Sequence, residues 1–502
     1  MSEALYSLAH PQWFETIERF AFRPRYACVL EEIMPLGWSL ERHSMWLGAS
    51  QGRPIPPQGF KIHVSTIQRH AIYVLRTVAT ACFERDVTFK VAGDHEMLHQ
   101  LNSRSFPRGN AGKFMTIYPP SDDVFLKLIE ELYQRTRSTE VVGPYILSDR
   151  RYKDSKILSY RYGGFQAMRR LGVDGTRPTY IQTPTGQAVL DKRLPFFNLP
   201  DWVADPFPVE APAAEGESIL CGRYRVESAI KFSNAGGVYH ATDLETGNPV
   251  VIKEARPLTN EWNFGGSFVD ARALLDWEWR VLNRLRHLDC VPRPVQLFQE
   301  WEHTFLVEEF INHPTFWHFW ANPDNIFAPF VRLPGAVERF VPKLARLGLA
   351  LLDAVEDVHA AGVILCDLST RNILVDPATL HVKIIDFESA IVSADTSDRG
   401  LTDYARNWHT PGFLHPKRVE RGTATAEDDF YSLGMLLYCA VVPAQSFFEL
   451  NPEARDRFLD GMVALGVPDV VRDVIRSLLA GEAARARQLL LTIVPPQPVL
   501  EQ

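Results

Sequence analysis

Cysteine is scarce in this chain and never patterned. Its six residues lie at positions 28, 82, 221, 290, 366 and 439, with no C-x-x-C pair and no zinc-ligand spacing. That excludes a disulfide framework and reads as free thiols in a reducing compartment. No run approaches eighteen uninterrupted apolar residues, so no membrane span and no membrane partner are expected. The start, M1-S-E-A-L-Y-S-L-A-H-P, lacks a basic segment followed by an apolar core. Export is therefore not expected, and a cytoplasmic protein is. A strong charge of one sign is also missing. Residues 1–200 hold 26 Lys and Arg against 19 Asp and Glu, and the remainder 27 against 42. The basic excess of the first half is too small and too dispersed for a duplex-binding stripe, so no nucleic-acid partner is expected. The asymmetry itself points to different partners for the two halves.

What is present is length and apolar content enough for two or three packed domains: 502 residues, 46% of them hydrophobic. Pro200, Pro206, Pro208 and Pro212 lie among acidic and small residues, making a semi-extended linker and a domain boundary. The organisation read from this is a first domain over 1–205, a linker over 206–222, a second domain over 223–492 and a tail over 493–502. Before the linker, F60-K-I-H-V-S, V87-T-F-K-V-A, K113-F-M-T-I-Y and I157-L-S-Y-R-Y alternate as strands, while V124–R135 has the spacing of an amphipathic helix. After it, Tyr224–Ile230 and Val238–Lys253 read as strands turning at T246-G-N-P, and Ala273–Leu285 and Leu344–His359 as helices. The expected class is multidomain α+β, with a strand-rich front and helical back in the second domain.

In that second domain, V363-I-L-C-D-L-S-T-R-N sets Asp367 and Asn372 five residues apart, and K383-I-I-D-F-E places Asp386 after a short apolar strand. This spacing, and the two-lobe order, resemble those of protein kinases. Asp367 would accept the hydrogen bond of an attacking hydroxyl, while Asn372 and Asp386 would hold Mg²⁺ on ATP or GTP. Lys253, ending the strand V250-V-I-K, would neutralise the α- and β-phosphates. Glu278 is the partner expected for it, with Glu254 or Asp276 as alternatives. Gly236 and Gly237 would let backbone approach the phosphates. The chain departs from the kinase pattern in three places. Lys231 and Ser233 stand where two loop glycines are usual, Leu365-Cys366 replace His-Arg, and Glu388 replaces the glycine after Asp386-Phe387.

In the first domain, alternation sets Lys61, His63 and Ser65 on one strand face; Lys90, Tyr118 and Arg161 likewise lie on non-core faces. F60-K-I-H-V-S, G143-P-Y-I-L-S-D-R-R-Y, L158-S-Y-R-Y-G-G-F and V250-V-I-K-E-A-R-P resemble the N-terminal and central regions of class III lanthipeptide synthetases. The resemblance implies a phosphothreonine-lyase-like domain followed by a two-lobed kinase-like domain. It implies a substrate too, a ribosomal precursor peptide with a leader sequence, phosphorylated on Ser and Thr and then stripped of phosphate to dehydroalanine or dehydrobutyrine. By the same resemblance Lys90 is the base that takes the Cα proton, and His63 the acid that protonates the leaving phosphate. Lys61, Arg108, Tyr118, Arg151 and Arg161 form the phosphate clamp, with Arg104 against Arg108 and Arg150 against Arg151 left open. No cofactor is expected in this half. A cyclase domain is expected to be absent from the chain. Two other readings stay open: a Ser/Thr kinase whose first domain only binds or regulates, and a silent peptide-docking scaffold. A homo-oligomer also stays open.

Overall fold

The computed structural model describes residues 17–166, 168–173, 175–208, 218–264, 267–322, 335–393, 399–442 and 451–494. The part of the expected linker at 209–217 and of the expected tail at 495–502 lies outside the described residues.

The first domain is built on seven strands: β1 (Ser39–His43), β2 (Trp46–Ser50), β3 (Gln58–Val64), β4 (Phe89–Ala92), β5 (Met115–Ile117), β6 (Arg150–Arg151) and β7 (Leu158–Gly164), in the order β1-β2-β4-β5-β3-β7-β6. Every neighbouring pair is antiparallel. One face carries Ile62, Val64, Phe89, Val91, Met115, Ile117 and Leu158, all buried. They pack into one core with Leu75 and Val78 of helix Ala71–Glu84, and Phe125 and Leu128 of helix Asp122–Thr136. The latter helix starts at Ser121, whose hydroxyl accepts from the Val124 N–H, with Asp122 and Asp123 in the first turn. A small sheet of β8 (Met168–Arg169), β9 (Thr179–Gln182) and β10 (Ala188–Leu190) completes the domain.

The second domain opens with β11 (Ile219–Leu220), β12 (Tyr224–Phe232), β13 (Gly237–Asp243) and β14 (Pro249–Ala255), then the hairpin β15 (Trp262–Phe264) and β16 (Ser267–Val269). β11 to β14 with β17 (Pro294–Glu300) and β18 (His303–Glu309) form a six-stranded sheet, β11-β12-β13-β14-β18-β17. Helix Ala271–Leu285, capped by Asp270, packs its Leu274, Val281 and Leu282 beneath that sheet. The remainder is helical, over Ala336–Ala360, Ala426–Val441, Asp469–Leu479 and Ala483–Ile493. Short strands β19 (Val363–Ile364), β20 (Ile373–Val375), β21 (Val382–Ile384) and β22 (Ile391–Val392) pair as β19–β22 and β20–β21. Among the described residues, no helix is long and apolar enough to cross a membrane.

The domains touch. The Asn260 N–H donates to Asn102 O at 2.7 Å, and the Gln68 N–H to the Glu261 carboxylate at 3.1 Å.

Candidate active sites

In the second domain the loops after β19 and β21 converge below the glycine loop. Lys253 on β14 donates to Glu278 at 2.7 Å, the first of the expected partners. Glu254 is instead held by His303 at 2.6 Å and Tyr239 at 2.6 Å, and Asp276 by Arg280. A second carboxylate, Glu308 of β18, stands 3.2 Å from the Lys253 ammonium, and sequence reasoning missed it. Burial opposes the charge on Lys253, but Glu278 and Glu308 outweigh it and hold the ammonium charged. Burial, aided by the Asp386 charge, pushes the Glu278 carboxyl up to about 7 against the pull of Lys253. Glu278 also accepts from the Phe387 N–H at 3.0 Å, which ties helix Ala271–Leu285 to the Asp386 loop.

Asp367 accepts from the Thr410 N–H at 3.0 Å and hydroxyl at 2.7 Å. Asn372 donates its amide to Asp367 O at 2.9 Å, leaving its oxygen as the end for a cation. Burial and the Asp386 charge push the Asp367 carboxyl up. The Asn372 amide oxygen and the Asp386 carboxylate fit Mg²⁺, a hard cation that takes oxygen ligands. Asp429 braces the loop, accepting from the Leu365 N–H at 2.8 Å, the Cys366 N–H at 2.9 Å and His359 at 2.8 Å. Cys366 and Asp386 both hold left-handed backbone, φ +68° and +72°, conformations rare outside glycine and concentrated at functional loops. Gly236, Gly237, Lys253, Glu278 and Asp386 line one cleft.

In the first domain the second face of the sheet is polar and closed. Cross-strand register sets Lys90 beside Thr116, Thr116 beside His63, His63 beside Ser159, and Lys61 beside Arg161. Partners in register share a face. Lys61, His63 and Arg161 are only 7%, 4% and 5% exposed, far from the solvated strand face that Lys and Arg usually make. His63 Nδ1 bonds the Asp149 carboxylate, and Asp149 also faces Lys113 at 3.6 Å. Arg161 donates to Asp191 at 2.7 Å. Lys61 lies 5.9 Å from the Tyr118 ring centre, and Lys90 4.4 Å from that of Trp46.

Electrostatics follow from burying several cations together. Burial, with Arg193 and Lys113 nearby, lowers Lys90 to about 8. Burial lowers Lys61 well below its ordinary value, and Lys113 to about 8. Burial lowers His63 to about 3 against the Asp149 charge, and raises Tyr118. Despite its burial Asp149 stays ionised, held by His63 and Lys113. Arg193 also bonds Asn110 at 2.8 Å, and Lys113 faces Asp149.

Residues 27–218 match the family described as RamC, N-terminal domain, and residues 224–466 match the protein kinase domain. A probable SapB synthase of Streptomyces coelicolor is 34% identical over 89% of this chain and 47% of its own length. The chain thus joins a RamC-type N-terminal domain to a protein kinase domain. Its kinase domain is also similar to the DNA damage-responsive serine/threonine-protein kinase RqkA of Deinococcus radiodurans, 29% identical over 54% of the chain and 38% of that protein. Serine/threonine-protein kinase PknA of Mycobacterium tuberculosis is 28% identical over 45% and 48%. The chain thus spans less than half the length of these relatives.

Two residues expected in the clamp, Arg151 and Arg108, make side-chain contacts with the kinase domain. Arg151 sits beside Ser159 at the edge of the cationic row, but its guanidinium turns to Glu302 of the kinase domain, at 2.5 and 2.9 Å. Arg108 stacks over Phe232 of β12, 4.4 Å from the ring centre. Both are drawn off by the neighbouring domain, whose position alternation along one strand does not encode. Arg150 pairs with Asp205, and Arg104 with Glu388. Missed in the sequence were Lys113, Asp149, Asp191 and Arg193. Lys113 and Asp149 lie inside the stretches singled out above, and a lone acid among basic residues was the available signal.

Proposed function

We propose that this RamC-type chain dehydrates Ser and Thr of a ribosomal precursor peptide that carries a leader sequence. The kinase domain transfers the γ-phosphoryl group of ATP or GTP to the side-chain hydroxyl. Asp367 orients that hydroxyl, Lys253 binds the α- and β-phosphates, and Asn372 and Asp386 hold Mg²⁺, whose charge stabilises the transferring group.

The phosphopeptide then reaches the cationic face of the first domain. Neutral Lys90 removes the Cα proton, the C–H electrons form the Cα–Cβ double bond, and the Cβ–O bond breaks. Phosphate leaves with a proton from His63, while Lys61, Arg161 and the Tyr118 hydroxyl bind its oxygens. The incoming phosphate dianion counters the burial that keeps His63 neutral, so substrate itself charges the acid.

The observation that carries this reading is the burial of Lys61, His63 and Arg161 on one sheet face, joined in one chain to the kinase constellation. Incubation of a Ser/Thr peptide with Mg²⁺ and ATP or GTP, read by mass spectrometry, tests it. Net loss of water is expected; gain of phosphate alone favours a kinase with a binding domain, and an unchanged mass overturns both. The contacts of Arg151 and Arg108 on the kinase domain favour that second reading only for those two residues.

A further inference from the structure

The loop after helix His95–Asn102 crosses from the RamC N-terminal domain to the mouth of the nucleotide cleft. There it holds the glycine loop through Asn234. The Asn234 amide donates to Ser103 O at 3.0 Å, and its N–H donates to Arg104 O at 3.0 Å. Arg256 fixes Asn234 from the other side, donating to its carbonyl at 2.6 Å and its amide oxygen at 3.0 Å, and also to Tyr145 O of the first domain.

The Arg104 side chain continues into the cleft, lining it together with Gly236, Lys253 and Asp386. It meets Glu388 in a two-pronged ion pair, one prong at 2.5 Å. The Tyr404 hydroxyl reaches the same carboxylate at 3.4 Å, and the guanidinium lies 5.7 Å from the Trp408 ring centre. Glu388 follows Asp386 by two residues, at the position where kinases usually have glycine. An unpaired carboxylate there would repel the nucleotide phosphates and compete for their cation. A fork on both of its oxygens cancels the charge and fixes the loop at once.

We infer that Arg104 is a positioning residue of the kinase centre, contributed by the other domain, which neutralises Glu388 and holds the glycine loop and the Asp386 loop around the nucleotide phosphates. The inference rests on the phosphoryl transfer proposed above. It makes the kinase centre incomplete without the first domain docked against it.

The test uses the full chain, a Ser/Thr peptide and Mg²⁺-ATP or Mg²⁺-GTP, with phosphorylated plus dehydrated product counted by mass spectrometry. R104Q raises the nucleotide KM about tenfold or more and lowers kcat. Adding Glu388→Gly to R104Q recovers at least about fivefold of kcat/KM, because the charge needing neutralisation is gone. E302Q, which breaks the other interdomain ion pair outside the cleft, stays within about twofold. Elimination from a synthetic phosphopeptide by the R104Q preparation shows that the chain is folded. R104Q within twofold of the unaltered chain, or a double variant no better than R104Q, overturns the inference. A chain that eliminates from the synthetic phosphopeptide but never phosphorylates overturns the kinase reading and this inference together. Phosphorylation undiminished in R104Q overturns this inference alone.

Discussion

His63 and Asp149 bond through an imidazole Nδ1 and a carboxylate oxygen in near-complete isolation from water, their side chains 5% and 0% exposed. Asp149 fixes the ring orientation, and the ring's other nitrogen is the one that can serve a phosphate. Asp149→Asn keeps the shape and removes the charge that favours imidazolium. Elimination from a synthetic phosphopeptide is expected to slow about 10²-fold, the usual worth of a general acid. Phosphorylation by the same variant should hold. Wild-type elimination by this variant would remove the pair from the chemistry.

Lys90, lowered to about 8 by burial and by Arg193 and Lys113, sets a pH dependence whose sign can be worked out. The base acts when neutral, so kcat for elimination, read at saturating phosphopeptide where bound phosphate has charged His63, should climb about tenfold per pH unit below the Lys90 pKa and level above it. Lys113→Gln removes a neighbouring cation, raises Lys90 and moves the limb to higher pH. Lys90→Ala leaves phosphopeptide accumulating at every pH. A limb that stays fixed in Lys113→Gln would show that another group titrates.

The two centres should fail separately. Lys253→Met strips the phosphate-binding charge and leaves Glu278 and Glu308 buried without their shared cation. Phosphorylation is expected to fall by about 10²-fold or more, the scale of losing preorganised charge stabilisation. Asp367→Asn should do likewise, since the hydroxyl loses its acceptor. Both variants should still eliminate phosphate from a phosphopeptide supplied ready-made, as mass spectrometry would report. Loss of elimination as well would mean one shared centre.

The kinase centre was legible because its residues act at fixed separations along short loops, so Lys253, Asp367, Asn372 and Asp386 could be named from spacing. Glu278 followed because it lies on the first helix after β14, beyond the β15–β16 hairpin. The cationic face was legible strand by strand, since period-two alternation put Lys61 with His63. What alternation cannot carry is which strands are neighbours. The order β4-β5-β3-β7 brings Lys90 to His63 through Thr116, and the loop before β6 inserts Asp149 beneath. Interdomain contacts were least legible. Arg104, Arg108 and Arg151 looked alike in sequence, and only the docked kinase domain distinguishes them.

Gly236 and Gly237 are adjacent in sequence yet should respond differently to substitution. A Cβ at Gly236 would stand 1.8 Å from the Glu254 carbonyl oxygen, backbone of the central strand β14 that has nowhere to move. The carbonyl of Gly236 also accepts from the Ser233 N–H at 2.8 Å, closing the turn. At Gly237 the nearest atom is the Tyr239 hydroxyl, 2.4 Å away, the far end of a side chain that can rotate. That rotation forfeits its hydrogen bond to Glu254 and its edge contact with Phe232. Gly236→Ala should therefore destabilise the kinase domain by about 1–3 kcal/mol, the range of overpacking a closed site, and raise the nucleotide KM. Gly237→Ala should cost less, about 1 kcal/mol for one hydrogen bond. Thermal melts and nucleotide titrations of the two variants give the ranking. If Gly237→Ala proves the worse, the loop does not lie over Glu254 in this way.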